Sequence, residues 1–314
     1  NKINEARTAY YNGTEIISDD EFDALVYELS ALDPNNQLLL KVGADPSTEW
    51  KKEKHLYPLG SLNKVNFPNE MDKWVSENLQ NKETIVIEKL DGLSIGCQYE
   101  DGKLVKACLR GNGLEGEDIL QNVLKMHGAK KSLSNNFSGL IRGEIVLTKT
   151  NHQLYFNTYS NPRNAASGLC RKLDGEGSEH LTLMMYDVMS ENVFSFEKDK
   201  LQWLVDNKFI VPNFYVCKSS YEINDLWKSY QDKTRASLDY EIDGLVVVCN
   251  DCKVQSSLGE TNLRPKGKMA YKFANQFVKT IVKNITWTVG NSGRVTPIGW
   301  VEPVDILGSR VEKA

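Results

Sequence analysis

The sequence predicts an α+β protein, because two kinds of apolar periodicity follow each other along the chain. Apolar residues recur at helical spacing up to about residue 33, and from about residue 84 strand-like runs with a period of two lie between Gly, Asn and Asp turns. The 314 residues, 40% hydrophobic and 25% charged, suffice for about two globular domains. A disordered or fibrous chain is therefore excluded, and no apolar run approaches the roughly 20 residues of a membrane-spanning helix.

Two helices are predicted at the N-terminus. Residues 4–11 form the first, which the Asn12-Gly13 pair ends. Ser18 and Glu21 have the spacing of a capping box that opens the second helix, and Asp33-Pro34 ends it. The apolar face of this second helix consists of Phe22, Leu25, Val26, Leu29 and Leu32. Together the two helices predict a small helical domain.

The body of the chain is predicted to be rich in antiparallel hairpins. Runs of β-branched residues lie at 84–87, 140–146 and 244–248. Near the C-terminus, similar runs lie at 280–282, 285–289 and 295–298. These last runs predict the first strands of a separate β unit, after which the sequence stops.

The charge is unevenly distributed. The chain has 38 basic and 42 acidic side chains, a net charge of −4, yet residues 261–301 contain seven basic residues and no acidic one. Aromatic residues are interleaved with these cations: Tyr271, Phe273, Phe277, Trp287 and Trp300. This composition suits the binding of phosphate and ribose, and a solvated basic face is the alternative.

Six scattered cysteines indicate reduced thiols in a cytoplasmic protein. Cys249 and Cys252 have the spacing of half a zinc site, but no histidine stands where it would complete four ligands. We interpret them as two thiols at the end of a strand and assign no residue as a metal ligand. The chain begins at Asn1 without a basic and apolar leader, so we expect a trimmed piece rather than a secreted precursor.

The tetrapeptide Lys-Leu-Asp-Gly occurs twice. The copy at 89–92 follows a strand-like run, whereas the copy at 172–175 precedes further glycines and is predicted to lie in a loop. In an extended strand Lys89 and Asp91 share one face with Ile85 and Ile87. The first copy is therefore the candidate functional one.

Other segments bring matching side chains to the same cleft. They are Arg110 in a glycine-rich turn, Glu144 alternating with Arg142 on a strand, Asp243 before Gly244, and Lys272 on one side of the run 269–273. Lysines, an arginine and carboxylates together favour phosphoryl chemistry with a divalent metal.

Five segments, in this order and spacing, resemble the nucleotidyltransferase motifs of NAD-dependent DNA ligases. They are 88–93, 142–145, 186–188, 241–247 and 269–273. Two further stretches resemble the NAD-dependent branch in particular, namely 161–168 and the N-terminal helices with Tyr10-Tyr11 and Asp19 to Asp23. The resemblance covers nearly the whole chain.

The resemblance implies three regions. Residues 1–60 would be a helical domain that binds nicotinamide mononucleotide, and residues 61–276 an adenylation domain of the nucleotidyltransferase, ATP-grasp-like ligase type, built from antiparallel sheets and helices. Residues 277–314 would begin an OB fold. Because an OB fold needs five strands, the chain is expected to adenylate itself but not to seal nicks efficiently.

The resemblance also implies a reaction. Lys89 would attack the adenylyl phosphorus of NAD, release nicotinamide mononucleotide, and hold AMP for transfer to the 5′-phosphate of nicked double-stranded DNA, with Mg²⁺ or Mn²⁺. Asp91 and Lys272 would be catalytic beside it. A lysine with a pKa near 10.4 is about 0.1% neutral at pH 7.5. We therefore expect nearby cations, Lys272 and Arg110, to lower the pKa of Lys89.

The cofactor-binding residues follow from the same resemblance. Aromatic and acidic side chains of the N-terminal helices suit the cationic nicotinamide ring, although an acidic helix N-terminus is also favoured by the helix dipole alone. These residues are Tyr10, Tyr11, Asp19, Phe22 and Asp23. Those implied for the adenylyl and nick phosphates, the ribose and the base are Ser61, Leu62, Glu88, Leu90, Gly92, Arg110, Glu144, Arg163, Arg171, Arg235 and Asp243.

The chain departs from the family pattern at several positions. Val248 stands where a lysine is usual, and Ile87 stands where a glutamate is usual. Glu88 directly precedes the nucleophile and is predicted on the opposite strand face unless a bulge reorients it. Asn112 replaces a common aspartate. These departures indicate a divergent member of bacterial or viral type.

Two other functions compete with this interpretation. One is a nucleotidyltransferase of ligase or capping type that uses ATP or GTP, against which the acidic N-terminal helix speaks. The other is an inactive module that binds NAD or a nick. We expect a monomer that lies in the cytoplasm of a bacterium or of a host cell, binds nicked DNA through the basic stretch 261–301 and the OB fold, and has no membrane segment.

Overall fold

The computed structural model describes residues 2–3, 5–6, 17, 19–33, 36, 38, 50–79, 82–191, 194–273, 278–289, 295–306 and 309–313. Most of the predicted first helix, including Tyr10 and Tyr11, lies outside these residues. The second helix is confirmed over Asp19–Leu32 (α1). It ends directly before Asp33-Pro34, as the sequence predicts.

The remaining helices are α2 (Pro68–Asn78), α3 (Leu120–Val123), α4 (Lys149–Tyr155), α5 (Pro162–Cys170), α6 (Glu197–Asp206), α7 (Ser220–Ser229), α8 (Arg235–Ser237) and α9 (Cys252–Leu258), with a 3₁₀ turn at Ser178–His180 and a π-helical turn at Tyr230–Thr234. The strands are β1 (Lys52–Lys54), β2 (Asn63–Val65), β3 (Thr84–Leu90), β4 (Leu93–Glu100), β5 (Lys103–Leu109), β6 (Glu115–Glu117), β7 (Gly139–Leu147), β8 (Leu181–Met189), β9 (Phe214–Cys217), β10 (Ile242–Cys249), β11 (Glu260–Thr261), β12 (Arg264–Pro265), β13 (Lys268–Lys272), β14 (Val282–Val289), β15 (Val295–Ile306) and β16 (Ser309–Lys313).

A five-stranded sheet with the order β2-β13-β10-β3-β9 carries the predicted nucleophile strand. Its pairs are antiparallel except β2 with β13. One face packs on α2 and α7, where Val86 and Leu245 meet Trp74 and Trp227 in a buried cluster. Alternation along β3 places Lys89 on the other face.

A four-stranded antiparallel sheet with the order β5-β4-β7-β8 forms the second layer. Its apolar face, including Ile95 and Ile141, packs against Ala166 of α5 and Leu201 of α6. The other face presents Arg142 and the side chains that alternate with it. The predicted hairpin-rich α+β architecture is confirmed.

The two sheets meet where β3 passes into β4. Only Asp91 and Gly92 separate these strands, and a Cβ atom on Gly92 would lie 2.2 Å from the carbonyl oxygen of Ile145 in β7. Glycine is therefore required for this close approach. The junction places the end of β3, with Lys89, directly beside the second sheet.

The C-terminal strands form a third sheet with the order β14-β15-β16. The predicted runs 285–289 and 295–298 lie within it. The basic stretch is not one continuous aromatic and cationic surface, since Tyr271 and Phe273 are buried. β13 is an inner strand whose aromatic face is covered, whereas Lys272 on its other face is partly exposed in the cleft. Trp287 and Trp300 are exposed.

The predicted loop position of the second Lys-Leu-Asp-Gly copy is confirmed. The second Lys-Leu-Asp-Gly copy, 172–175, lies in a turn after α5. Cys249 ends β10 and Cys252 begins α9, and both are free thiols. No helix in the described part of the chain is long and apolar enough to cross a membrane.

Gly92→Ala is expected to lower the free energy of unfolding by about 1–3 kcal/mol, because its methyl group collides with the Ile145 carbonyl at 2.2 Å. Gly96→Ala is the control, since the added carbon meets only leucine methyl groups at 3.1 to 3.4 Å. Urea unfolding followed by circular dichroism measures both. Equal midpoints for the two variants would contradict the close approach.

Candidate active site

Lys89 and Asp243 form an ion pair in the cleft between the two sheets. The Lys89 Nζ lies 2.8 Å from Oδ1 and 3.0 Å from Oδ2 of Asp243. Lys272, on the neighbouring strand, lies 3.7 Å from the same carboxylate. A register shift in β10 beside Gly244 turns Asp243 toward Lys89. Three residues far apart in sequence thus meet as predicted.

The charge balance of this cluster favours a protonated lysine. Burial, the largest single effect, opposes the charge of Lys89, but the combined effect of Asp243, Glu144 and Asp91 outweighs it, so the pKa of Lys89 is raised. The expectation that nearby cations lower this pKa is therefore wrong for the arrangement described here. Carboxylates, not cations, lie closest to the amine.

Asp91 is held by an arginine from α5. The Arg163 Nη1 donates to Asp91 Oδ1 at 2.6 Å. The Asn161 side chain caps α5, accepting from the Asn164 backbone N–H at 2.8 Å, and Pro162 begins the helix. The segment 161–168 singled out from the sequence therefore places Arg163 at the cleft.

Glu144 faces the cluster from β7. Burial raises its pKa to about 6, against the opposing effects of Arg163, Lys89, Arg142 and Arg110. Its Oε2 lies 3.4 Å from the hydroxyl of Tyr186, which is 3.3 Å from Ser94 Oγ. Glu144 is thus a carboxyl group that can change protonation near neutral pH.

Two arginines hold the loop before β2. Arg142 donates to the Gly60 carbonyl at 2.8 Å and lies 5.8 Å from the centre of the Tyr186 ring. Arg110 lies 3.4 Å from Ser61 Oγ. Ser61 and Leu62, which the resemblance assigns to the nucleotide, are therefore fixed beside the cleft by cations.

The structure does not bring Glu88 to this cluster. Glu88 is buried on the opposite face of β3, where it accepts from the Asn213 backbone N–H at 3.0 Å, Asn213 Nδ2 at 2.8 Å, Tyr230 at 2.8 Å and Tyr240 at 2.6 Å. These four donors satisfy the carboxylate. No bulge reorients it, since β3 pairs in regular register around residue 88.

Leu90 also points away from the cleft and packs in the core of the five-stranded sheet.

Arg171 binds Glu117 at 2.7 Å and Ser167 Oγ at 2.7 Å. Arg235 lies 5.3 Å from the ring centre of Phe273.

The helix α1 carries the residues predicted to hold nicotinamide. Asp19, Phe22 and Asp23 lie on it, so the predicted helical position of the two aspartates is confirmed. The side chains of both aspartates, and Tyr10 and Tyr11 altogether, lie outside what the structure describes.

Sequence reasoning missed a buried quartet of charged side chains in which each lysine binds both carboxylates. Lys200 Nζ lies 2.9 Å from Asp187 and 3.0 Å from Glu197, and Lys268 Nζ lies 3.0 and 2.9 Å from the same residues. The quartet ties β8, α6 and β13 together. The only sequence signal was that Asp187 follows Tyr186 in a motif and that Lys268 shares a strand face with Lys272.

No cluster of three potential metal ligands occurs among the described residues. Asp91 and Asp243 are each paired with a cation. Glu144 is the acidic side chain of this cleft left to meet a metal that a substrate's phosphates would bring.

This architecture, with a lysine at the end of a strand in a cleft rich in arginine and carboxylate, defines a nucleotidyltransferase site. The family model for the NAD-dependent DNA ligase adenylation domain matches residues 47–276. The chain belongs to the NAD-dependent DNA ligase family.

Curated relatives support this over the whole length of the chain. The DNA ligase of Sorangium cellulosum is 39% identical over 339 residues, which cover 100% of this chain and 50% of that protein. The DNA ligase of Treponema denticola is 38% identical and covers 99% of this chain and 50% of its own length. The chain thus spans about half the length of these relatives.

A solved structure of the ATP-dependent DNA ligase from bacteriophage T7 is 16% identical, with a TM-score of 0.39, over 76% of this chain and 80% of that one. A likeness at this level supports no comparison of the two sites.

Asp243→Asn is expected to lower the pKa of Lys89, because it removes the largest influence that raises it. More of the amine is then neutral at pH 8, and a fall of one pKa unit speeds its reaction with an amine-reactive reagent about tenfold. Peptide mass spectrometry across pH 7 to 10 measures labelling at Lys89. Asp174→Asn, in the loop copy of the tetrapeptide, is the control, and equal labelling rates in the two variants would contradict the assignment.

Proposed function

We propose that this chain carries out the first step of NAD-dependent DNA ligation, the adenylation of its own Lys89. The Lys89 nitrogen attacks the adenylyl phosphorus of NAD. An N–P bond forms, the P–O bond to nicotinamide mononucleotide breaks, and the mononucleotide leaves with the bridging oxygen. The observation that carries the proposal is the placement of Lys89 beside Asp243, Lys272 and Arg163 in one cleft.

The amine must lose a proton before or during attack. Asp243, with both oxygens within 3.0 Å of Nζ, is the acceptor in contact with it. Because the pKa of Lys89 is raised, the neutral fraction grows as pH rises toward that pKa. The adenylation rate should therefore increase with pH above neutrality.

The cations of the cleft suit the charge that builds on the phosphorus oxygens during attack. Lys272 and Arg163 are already held by Asp243 and Asp91, so their orientation is set before a nucleotide arrives. Arg110 and Ser61 lie at the mouth of the same cleft. Asp91 and Glu144 are the candidate partners of the ribose hydroxyls. Arg171 and Arg235 are proposed phosphate ligands, each held by an existing contact.

Mg²⁺ or Mn²⁺ is the proposed metal. The phosphates of NAD would supply most of its ligands, and Glu144 is the protein side chain best placed to add one. Such a metal would neutralise charge on the phosphate oxygens.

The proposed domains follow the family. Residues 1–60 would bind the nicotinamide half through Tyr10, Tyr11, Asp19, Phe22 and Asp23, and residues 61–276 would hold AMP. Residues 277–314, which include three paired strands, would begin an OB fold that contacts nicked DNA. We propose a monomer that works in the cytoplasm, where such DNA lies.

The test is incubation with Mg²⁺ and either NAD or ATP, followed by intact mass. We expect one AMP per chain from NAD and none from ATP. Lys89→Ala is expected to abolish the adduct, whereas Lys172→Ala, the matched lysine of the loop copy, should leave it unchanged. An adduct with ATP alone would favour the ATP-dependent alternative, and none with either nucleotide would favour a binding module.

Asp23→Ala is expected to reduce adduct formation from NAD at least tenfold, because it removes a carboxylate proposed to hold the cationic nicotinamide ring. Any transfer of AMP from Lys89 to a nicked 5′-phosphate should keep the rate that the unsubstituted chain shows, since that step involves no nicotinamide. Glu28→Ala, on another side of α1, is the control. Normal adenylation by Asp23→Ala would show that the role given to the helical domain is wrong.

A further inference from the structure

The register of the five-stranded sheet arranges the Lys89 face in three rows. Lys272, Gly244 and Lys89 form the first row, as consecutive partners across β13, β10 and β3. Ala270, Val246 and Ile87 form the second, and Lys268, Val248 and Ile85 form the third. Residues directly opposite in antiparallel strands share a face, and rows two residues apart are separated by about 7 Å.

Two positions of this face are apolar where the family pattern has charge. Ile87, in the second row, replaces a glutamate, and Val248, in the third row, replaces a lysine. The structure gives Val248 a direct cross-strand partner, Lys268, on the neighbouring strand β13. The third row thus contains a lysine, but this lysine belongs to β13, whereas the lysine of the family pattern belongs to β10.

Lys268 lies on the same sheet face as Lys89, two rows further along. It lies four residues, about 13 Å, from Lys272, and is therefore too distant for the phosphorus attached to Lys89. Its ammonium uses two of its three donors on Asp187 and Glu197, and 16% of its side chain is exposed. Glu197 is closed off at 1% exposure, whereas Asp187 keeps 8%.

Asp187 connects this end of the cleft to the reactive end. It pairs with Arg142 across β7 and β8, and it acts on the charge of Arg142 together with Glu144. Its neighbour Tyr186 bonds to Glu144 and Ser94. Tyr186 and Asp187 thus link the Lys268 end of this face to Glu144, which in turn acts on Lys89.

Resting on the adenylation proposed above, we infer that the base of a nucleotide bound at Lys89 is directed toward Lys268, and that Lys268, with Asp187, recognises the edge of adenine in a chain whose Val248 and Ile87 are apolar. An ammonium donates to the unprotonated ring nitrogen N1 of adenine, and a carboxylate accepts from its 6-amino group. Hypoxanthine reverses both groups, presenting N1–H and a carbonyl oxygen. Sites built to hydrogen-bond one pattern reject the other strongly.

The experiment compares rates of Lys89 nucleotidylation from NAD and from nicotinamide hypoxanthine dinucleotide, by intact mass, in the full chain with Mg²⁺. The wild-type chain is expected to prefer NAD, and Lys268→Met should lower the rate ratio at least tenfold. Lys200→Met is the matched control, because Lys200 binds the same two carboxylates and is equally buried at 15% exposure, but lies on α6. It should lower the melting temperature similarly and leave the ratio unchanged.

A second variant tests the relocation of the charge. Lys268→Met combined with Val248→Lys returns the lysine to β10 in the same row, and should restore most of the lost preference. Should Lys268→Met fail to fold, Lys268→Arg keeps the ion pairs but alters the donor geometry, and must itself lower the ratio.

An unchanged ratio in the Lys268 variants, or an equal fall in Lys200→Met, would overturn the inference. Equal wild-type rates with both dinucleotides would overturn it too, while leaving the adenylation of Lys89 intact. If the wild-type chain forms no adduct with either dinucleotide, the proposed function itself fails.

Discussion

The close contact of the two sheets at Gly92 is the constraint on which the rest of the site depends. Because no Cβ separates this backbone from the Ile145 carbonyl, β3 can pass from one sheet into the other within two residues. Lys89 then belongs to the five-stranded sheet while facing Glu144 of the four-stranded one. A wider junction would move Lys89 away from Glu144, which adds to the effect of Asp243 on the charge of the amine.

Charge in this cleft is balanced locally. Two of the three carboxylates that act on Lys89 are bound to cations, Asp91 to Arg163 and Asp243 to Lys89 and Lys272, whereas Glu144 accepts from the Tyr186 hydroxyl. Such pairing keeps the site compact and favours protonated Lys89. A polyanionic substrate would compete with these carboxylates for the same cations. A carboxylate released from its cation could then accept the proton of the lysine. Lys89 is therefore protonated before the substrate binds, and substrate binding is what would favour its neutral form.

Periodicity and motif order predicted the helix α1, the antiparallel strands and the convergence of Lys89, Asp243 and Lys272, because strand alternation is visible in a single sequence. Burial could not be predicted in this way. The pattern of Tyr271 and Phe273 among lysines suggested a binding surface, yet β13 became an inner strand. The quartet around Lys268 was also not predicted, because its members lie on β8, α6 and β13, which meet only through the packing of the two sheets and α6. The direction of the Lys89 pKa shift could not be predicted either, because it depends on the distances from the amine to the surrounding carboxylates and cations.

The buried carboxylate of Glu88 limits which substitutions this part of the chain can tolerate. Its four donors come from Asn213, Tyr230 and Tyr240, which lie in separate segments far from it in sequence. Substitution of Glu88 alone would leave those buried donors without an acceptor. Substitution of one of the donor residues would leave the carboxylate with a hydrogen bond unmade. These four positions should therefore change together or not at all across related sequences. The carboxylate and its donors thus act as one unit on the back of the nucleophile strand.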